Sequence, residues 1–457
     1  MVNEMMPPNP VQKRGMWPPK NGREYKVLDT DDWRNIAGRE KIDASDLIKF
    51  NFDTNVAAQV NWYLRELVGC RQTRDGHNYV FAGADPAKRK IYLPPLPVPP
   101  RDPQWGDIKS QKILDAIHAD LSKGPNFSHA DVVDIVRATM DDGVVTLQEL
   151  TDLGVFAKNA TATQMPLRSR KMVQYLVDQV QNVFGAKGQI SLNTVLKRYA
   201  AGVVVDFLKE ESGGAFPRLD RDQIGIDLLL RIANPGIMNQ DRTGICGPMA
   251  LLYSVASDSP VSYAKYVTNL YDKGKASLGA IEIAPSKACR SYSPPTTMSP
   301  TDWVAAAALR DSDNWWFNVD KDDNGFVMNI ASGAALGTIE EWFERSGYTD
   351  IKSKSNPLRG LSSGDLTDVN RYYAEGRRVV LRINADLLNA KTQSDWSLKG
   401  DHIVVLTSPI NLAAPKGGVQ FTVFTWGQGT FEIPQGAPLS EKDLLSHLYG
   451  YIAAKHL

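Results

Sequence analysis

From residue 107 to about 212 the apolar positions recur with a helical period. Ile113, Ile117 and Leu121 stand at i, i+4 and i+8, and Val132, Val133, Ile135 and Val136 continue at helical spacing. Arg168–Phe184 and Leu192–Glu211 carry the same pattern, interrupted by turn residues at Met140–Gly143 and Gly185–Gly188. The spacing predicts an all-helical domain over 107–220. Beyond 221 helical runs come first, then Arg378–Ile383, Asp401–Leu406 and Val419–Phe424, each rich in β-branched and aromatic residues. Helices followed by antiparallel strands predict an α+β domain over 221–457. Ahead of both, residues 21–96 start strand-like at Tyr25, pass through two short helical patterns and end on Ile91-Tyr92-Leu93. Leu93–Arg101 holds five prolines in nine residues, which excludes a helix or a central strand and predicts an extended linker over 97–106. Residues 1–20 read as a disordered, Pro-rich arm.

Composition narrows the function classes. Lys+Arg and Asp+Glu are 52 each, so no global charge favours nucleic acid. No stretch approaches 18 consecutive apolar residues, so no membrane span is expected. The N-terminus lacks the apolar core of a secretory signal, which predicts synthesis in the cytoplasm and, for any role outside, export by a specialised secretion system. The three cysteines, Cys70, Cys246 and Cys289, lie far apart and define neither a disulfide framework nor a paired zinc site.

In the first module, Tyr25, Val27, Thr30, Asp31, Asp32, Trp33, Ile36 and Ala37 set a strand, a turn and a capped helix start, with Asp31 or Asp32 as the cap. This string resembles the LysM signature, with Leu47 and Asn51 on the second helix and Ile91–Pro94 as the closing strand. The resemblance implies a βααβ module that binds N-acetylglucosamine polymers such as peptidoglycan. Thr30 replaces the family's turn glycine, and nearly forty residues intervene between Asn51 and the last strand.

The richest stretch runs from Gln240 through Cys246-Gly247-Pro248 into an apolar helical pattern. Pro248 suits a first helical turn. Cys246 is therefore expected at a helix N-terminus, where the macrodipole lowers a thiol pKa and activates the nucleophile. Gln240, six residues earlier, can donate to an oxyanion. His402, opening the strand Ile403–Leu406, is the histidine best placed to serve as general base and acid. Cys70 and Cys289 read as buried hydrophobes.

Gln240 with Cys246-Gly247, a later histidine strand, and Phe424-Thr425-Trp426-Gly427 on the next strand together resemble the papain-like cysteine peptidase superfamily. The likeness spans about 220 residues. It implies a central helix on an antiparallel sheet and cysteine-dependent amide hydrolysis of a protein or peptide, with no cofactor and no metal. Phe424 occupies the slot of the family's orienting Asn, so the group that orients His402 is left among Thr425, Gln428, Thr422 and a backbone carbonyl.

Two acidic loops imitate calcium sites. Asp320–Ala331 has oxygens at positions 1, 3 and 5 but Ala331 at 12. The loop ending in Glu149 has Asp142 at position 5 but Ala138 and Met140 at 1 and 3. Neither is expected to hold metal. Trp303, Trp315, Trp316, Phe317, Trp342 and Phe343 are expected to be core, and Thr338 with Glu341 reads as a capping box. A LysM-like module joined to a papain-like half resembles a secreted bacterial effector or toxin, which implies action as a cysteine protease. A peptidoglycan amidase or endopeptidase, a toxin deamidase, or an inactive papain-like component of a secretion machine are the alternatives.

Overall fold

The computed structural model describes residues 17–20, 22–95, 103–186, 188–240, 245–295, 297–312, 336–388, 402–414, 418–425, 429–436 and 438–456. The chain forms two compact units that divide between Asp102 and Pro103.

The first unit contains β1 (Arg23–Tyr25), α1 (Trp33–Arg39), α2 (Ala44–Phe52), α3 (Ala57–Glu66), the hairpin β2 (Gln72–Thr73) and β3 (Tyr79–Val80), and β4 (Ile91–Leu93). β1 and β4 pair antiparallel, Tyr25 opposite Ile91. Asp32, not Asp31, caps α1, and its carboxylate accepts from the Asn35 N–H in a reciprocal capping box. Asp31 instead accepts from the Tyr25 hydroxyl and the Leu28 N–H, both at 2.8 Å. Buried Asn51 fastens α2 to β4: its amide donates to the Tyr92 carbonyl and accepts from the Tyr92 N–H, each at 2.7 Å. The long insertion after Asn51 is α3 and the hairpin. It returns to the β1–α1 loop, where the Gly83 N–H donates to Asp29 at 3.0 Å and the Phe81 ring meets Trp33 at 5.1 Å.

The second unit opens with α4 (Gln111–Leu121), α5 (His129–Ala138), β5 (Val144–Val145), α6 (Leu147–Asn159), α7 (Leu167–Phe184), β6 (Ile190–Ser191), α8 (Val195–Lys209) and α9 (Arg221–Ala233). Then follow α10 (Cys246–Asp258), α11 (Pro260–Lys273), the hairpin β7 (Ala276–Leu278) and β8 (Ile281–Ile283), and α12 (Lys287–Ser291). α13 (Pro300–Asp302) runs through a π-helical stretch, Trp303–Ala307, into α14 (Ala308–Ser312). The rest is α15 (Leu336–Arg345), β9 (Thr349–Ser355), α16 (Ser363–Ala374), β10 (Arg378–Ile383), β11 (His402–Leu406), β12 (Asn411–Ala414), β13 (Gly418–Phe424), β14 (Thr430–Ile433), α17 (Glu441–Ser446) and β15 (Leu448–Lys455).

Seven of these strands form one antiparallel sheet in the order β12-β13-β11-β10-β15-β9, with β14 also on β13. Alternation decides its two faces. Val380, Ile403, Val405, Phe424 and Ile452 join the core beneath α10, whereas Val379, Leu381, Val404, Leu406 and Val423 pack with Leu366, Val369 and Leu444 of α16 and α17. The core beneath α10 runs continuously from Trp105 to Ala454. The predicted all-helical segment therefore shares one hydrophobic interior with the α+β part, and no break in packing marks residue 220.

β5 and β6 pair and join the α5–α6 loop to the α7–α8 loop. Gly143 takes φ +84°, a conformation that favours glycine. The Lys112 ammonium reaches into the α5–α6 loop, 2.6 Å from Asp142 and 3.4 Å from Glu149. The other acidic loop, Asp320–Ala331, lies outside the described residues, as do Trp315, Trp316 and Phe317. Trp303, Trp342 and Phe343 are buried, as a core reading requires. α15 begins at Leu336, so Thr338 lies inside the helix rather than capping it.

Candidate functional site

α10 is buried along its length and packs against α11, α15 and β11. Cys246 begins it, with Ile245 flanking and no side-chain cap, and Pro248 sits in the first turn. Gly247 lets α15 approach closely, since a Cβ there would stand 3.3 Å from Ile339 and 3.4 Å from the Trp342 ring. At the far end of α10, Asp258 binds the Arg378 guanidinium of β10 and accepts the Tyr348 hydroxyl at 2.7 Å. On the facing strand, Phe424 stacks on Tyr253 of α10 with ring centroids 4.0 Å apart and planes 8° from parallel. These contacts fix the helix against the sheet.

The N-terminus of α10 meets the start of β11. There α10 packs against β11, and the backbone N–H groups of Ile403, the residue after His402, and of Gly247 favour a Cys246 thiolate. His402 is 5 % exposed, and its Nε2 lies 2.7 Å from the Thr425 hydroxyl at the end of β13. Of the groups that sequence left open as its orienter, Thr425 makes this contact. Thr422 bonds Thr407 instead, at 2.9 Å, and Gln428 lies outside the described residues. Gln240 is buried in the loop before α10. That loop touches the β13–β14 turn, where the Gly429 N–H donates to the Gly236 carbonyl at 3.0 Å. Its next residue back, Asn239, donates its N–H to Asp302 at 2.9 Å. α10 thus packs against the strand that His402 opens, and the segment before Gln240 meets the residue that precedes β14.

The electrostatics correct one expectation. Helix-terminal N–H groups and the Arg310 charge do favour a Cys246 thiolate, but burial outweighs them and pushes the thiol up. Burial also pushes His402 down to about 4. At neutral pH the pair therefore rests as neutral thiol and neutral imidazole. Cys70 and Cys289 are buried thiols pushed up to about 12.

A second constellation was not legible in the sequence. His129 Nδ1 lies 3.0 Å from the Ser169 hydroxyl, and its Nε2 is 3.0 Å from the Leu208 carbonyl and 3.4 Å from Asp222. Ser169 has no exposed surface, so this set pins α5, α7, α8 and α9 together and presents no nucleophile. Sequence reasoning also missed Asp302, Arg231 and Arg310. No motif links Arg231 to Asp302 across 71 positions. Among the described residues, no group of three or more His, Cys, Asp or Glu side chains could hold a metal ion, and no helix is long and apolar enough to cross a membrane.

No protein-family model, no curated protein and no solved structure matches the chain.

Proposed function

We propose that the protein is a cysteine-dependent amide hydrolase of papain-like design, with Cys246 as nucleophile, His402 as general base and acid, and Gln240 as oxyanion donor. The observation that carries this reading is Cys246 at the start of a buried helix that packs on β11, the strand that His402 opens. The mechanism starts from neutral partners. In this reading His402 takes the thiol proton as sulfur attacks the amide carbon. Gln240 and the N–H groups at the start of α10 stabilise the oxyanion. The imidazolium then protonates the leaving amine, giving a thioester. Water attacks that thioester with His402 again as base, releasing the acid and restoring the thiol.

The test is acylation by p-nitrophenyl acetate, which needs no knowledge of the natural substrate. The native chain should release nitrophenolate with a burst of one equivalent. Cys246→Ala should abolish the burst, and His402→Ala should slow it by at least ~10²-fold, the usual contribution of a positioned base. An unchanged burst in Cys246→Ala sinks the reading, and no burst in the native protein favours an inactive papain-like component.

In physiological terms we read the protein as a bacterial effector or toxin cutting a protein or peptide of another cell. The order of β1, α1, α2 and β4 in the first unit supports a second reading, a LysM-like module directing the hydrolase to peptidoglycan amides. Digestion of purified muropeptides against digestion of recipient-cell protein separates the two.

A further inference from the structure

Asn239 stands immediately before Gln240, and its backbone N–H is held by a carboxylate from another part of the chain. Asp302 Oδ2 accepts this N–H at 2.9 Å and also the Arg231 guanidinium at 2.7 Å, while Oδ1 accepts Arg231 Nε at 2.6 Å. Both partners of this ion pair are buried, Asp302 at 1 % exposure and Arg231 at 5 %. Arg231 is further fixed by the Asp227 carbonyl at 3.1 Å. Asp227 in turn accepts from the Tyr175 hydroxyl at 3.0 Å and from Ser299. Asp302 is the last residue before the π-helical stretch Trp303–Ala307. Such bulges in helices recur at functional sites because they re-aim the side chains beside them. The Asp302 carboxylate thus fastens the loop that carries Gln240.

We propose that Asp302 is a positioning residue for the Gln240 loop, holding the side-chain amide of Gln240 where the oxyanion forms. This rests on the assignment of Cys246 and Gln240 above. Asp302 touches no reacting atom. It acts through Asn239, and Arg231 holds its carboxylate in one orientation inside the core.

The experiment compares two reactions of the same sulfur. Acylation by p-nitrophenyl acetate passes through an oxyanion, whereas alkylation by iodoacetamide does not. Asp302→Asn should slow acylation by about 10²-fold, the scale of a displaced oxyanion donor, and leave alkylation unchanged. In the Gln240→Ala background the same substitution should cost nothing more. Arg231→Met with Asp302→Leu replaces the pair by apolar side chains of similar volume, a change proteins often tolerate, and should give the same selective loss. The proposal is overturned if acylation and alkylation fall together, if the Asp302 and Gln240 effects multiply, or if Asp302→Asn acylates like the native chain. Cys246→Ala separates the two levels. Loss of the burst there with a normal Asp302→Asn rejects only the positioning role, whereas a persisting burst rejects the nucleophile and the positioning role with it.

Discussion

His402, which opens β11, and Thr425, which follows β13, lie 2.7 Å apart, ring nitrogen to hydroxyl, and both are buried. A buried hydroxyl in that place holds the plane of the imidazole ring. Thr425→Val keeps the shape and removes the partner. It should slow acylation about tenfold and lower stability by about 1–3 kcal/mol, the cost of a buried polar atom left without its bond. Thr425→Ser should restore the rate. A silent Thr425→Val would move the orienting role elsewhere.

Phe424 next to it has a different task. Its ring lies on Tyr253 and is 3 % exposed, so Phe424→Ala should cost roughly 3–5 kcal/mol in chemical denaturation. The surviving folded fraction should acylate at the native rate per molecule. A rate loss in the folded fraction would place Phe424 in the site rather than beneath it.

Burial of Cys246 sets a pH profile opposite to that of a pre-ionised thiolate. Alkylation by iodoacetamide should rise with a midpoint above that of free cysteine, because burial pushes the thiol up. Arg310 opposes that rise, so Arg310→Gln should move the midpoint higher still. A midpoint well below 8 in the native chain would show that the thiolate is stabilised more strongly than its surroundings indicate.

His402 should mark the acid limb of stability. Its folded value, about 4, lies below its ordinary 6.5. Between those values the unfolded chain binds a proton that the folded chain excludes. The contribution is fully present above pH 6.5 and is lost as pH falls through about 4, amounting to roughly 3 kcal/mol. Denaturation of the native chain and His402→Gln should therefore converge as pH drops from 7 to 4. Parallel curves would rule out a buried neutral imidazole.

In the first unit, Asn51→Leu should cost about 2–4 kcal/mol, since it strands both the N–H and the carbonyl of Tyr92. Loss of the β1–β4 pairing by hydrogen exchange is the direct readout, and retained protection of Tyr92 would contradict the role of Asn51.

The sequence disclosed elements whose pattern is local. The helical periods at 111–121, 129–138 and 167–184 and the strands at 378–383, 402–406 and 418–424 follow from spacing and side-chain type. β15 escaped notice although it lies inside the sheet between β10 and β9. Buried on both faces, it shows no alternation, and Ala453-Ala454 carry little strand preference. β9 was invisible for the opposite reason, because Lys352 and Lys354 mark a solvent-facing edge rather than a core strand. Of the proposed site, Gln240, Cys246 and His402 were nameable from the sequence as candidates, with Thr425 as one possible orienter among several. The thiol's environment was not. A helix start announces itself through Pro248, but the burial that overrides its dipole arises from β11, more than 150 positions away. Asp302 was hidden for the same reason: nothing local distinguishes a carboxylate that caps a distant loop from one that faces water.

Lys112 gives the helical part of the second unit an independence from its surroundings. The carboxylates of Asp142 and Glu149 in this loop need a neutralising charge close by. Here the neutralising charge is covalently part of the chain, tethered to α4 and present in fixed stoichiometry. The same ammonium also draws α4 onto the α5–α6 turn, so charge balance and tertiary docking are one event. Chelators should therefore leave the melting of this part of the chain where it was.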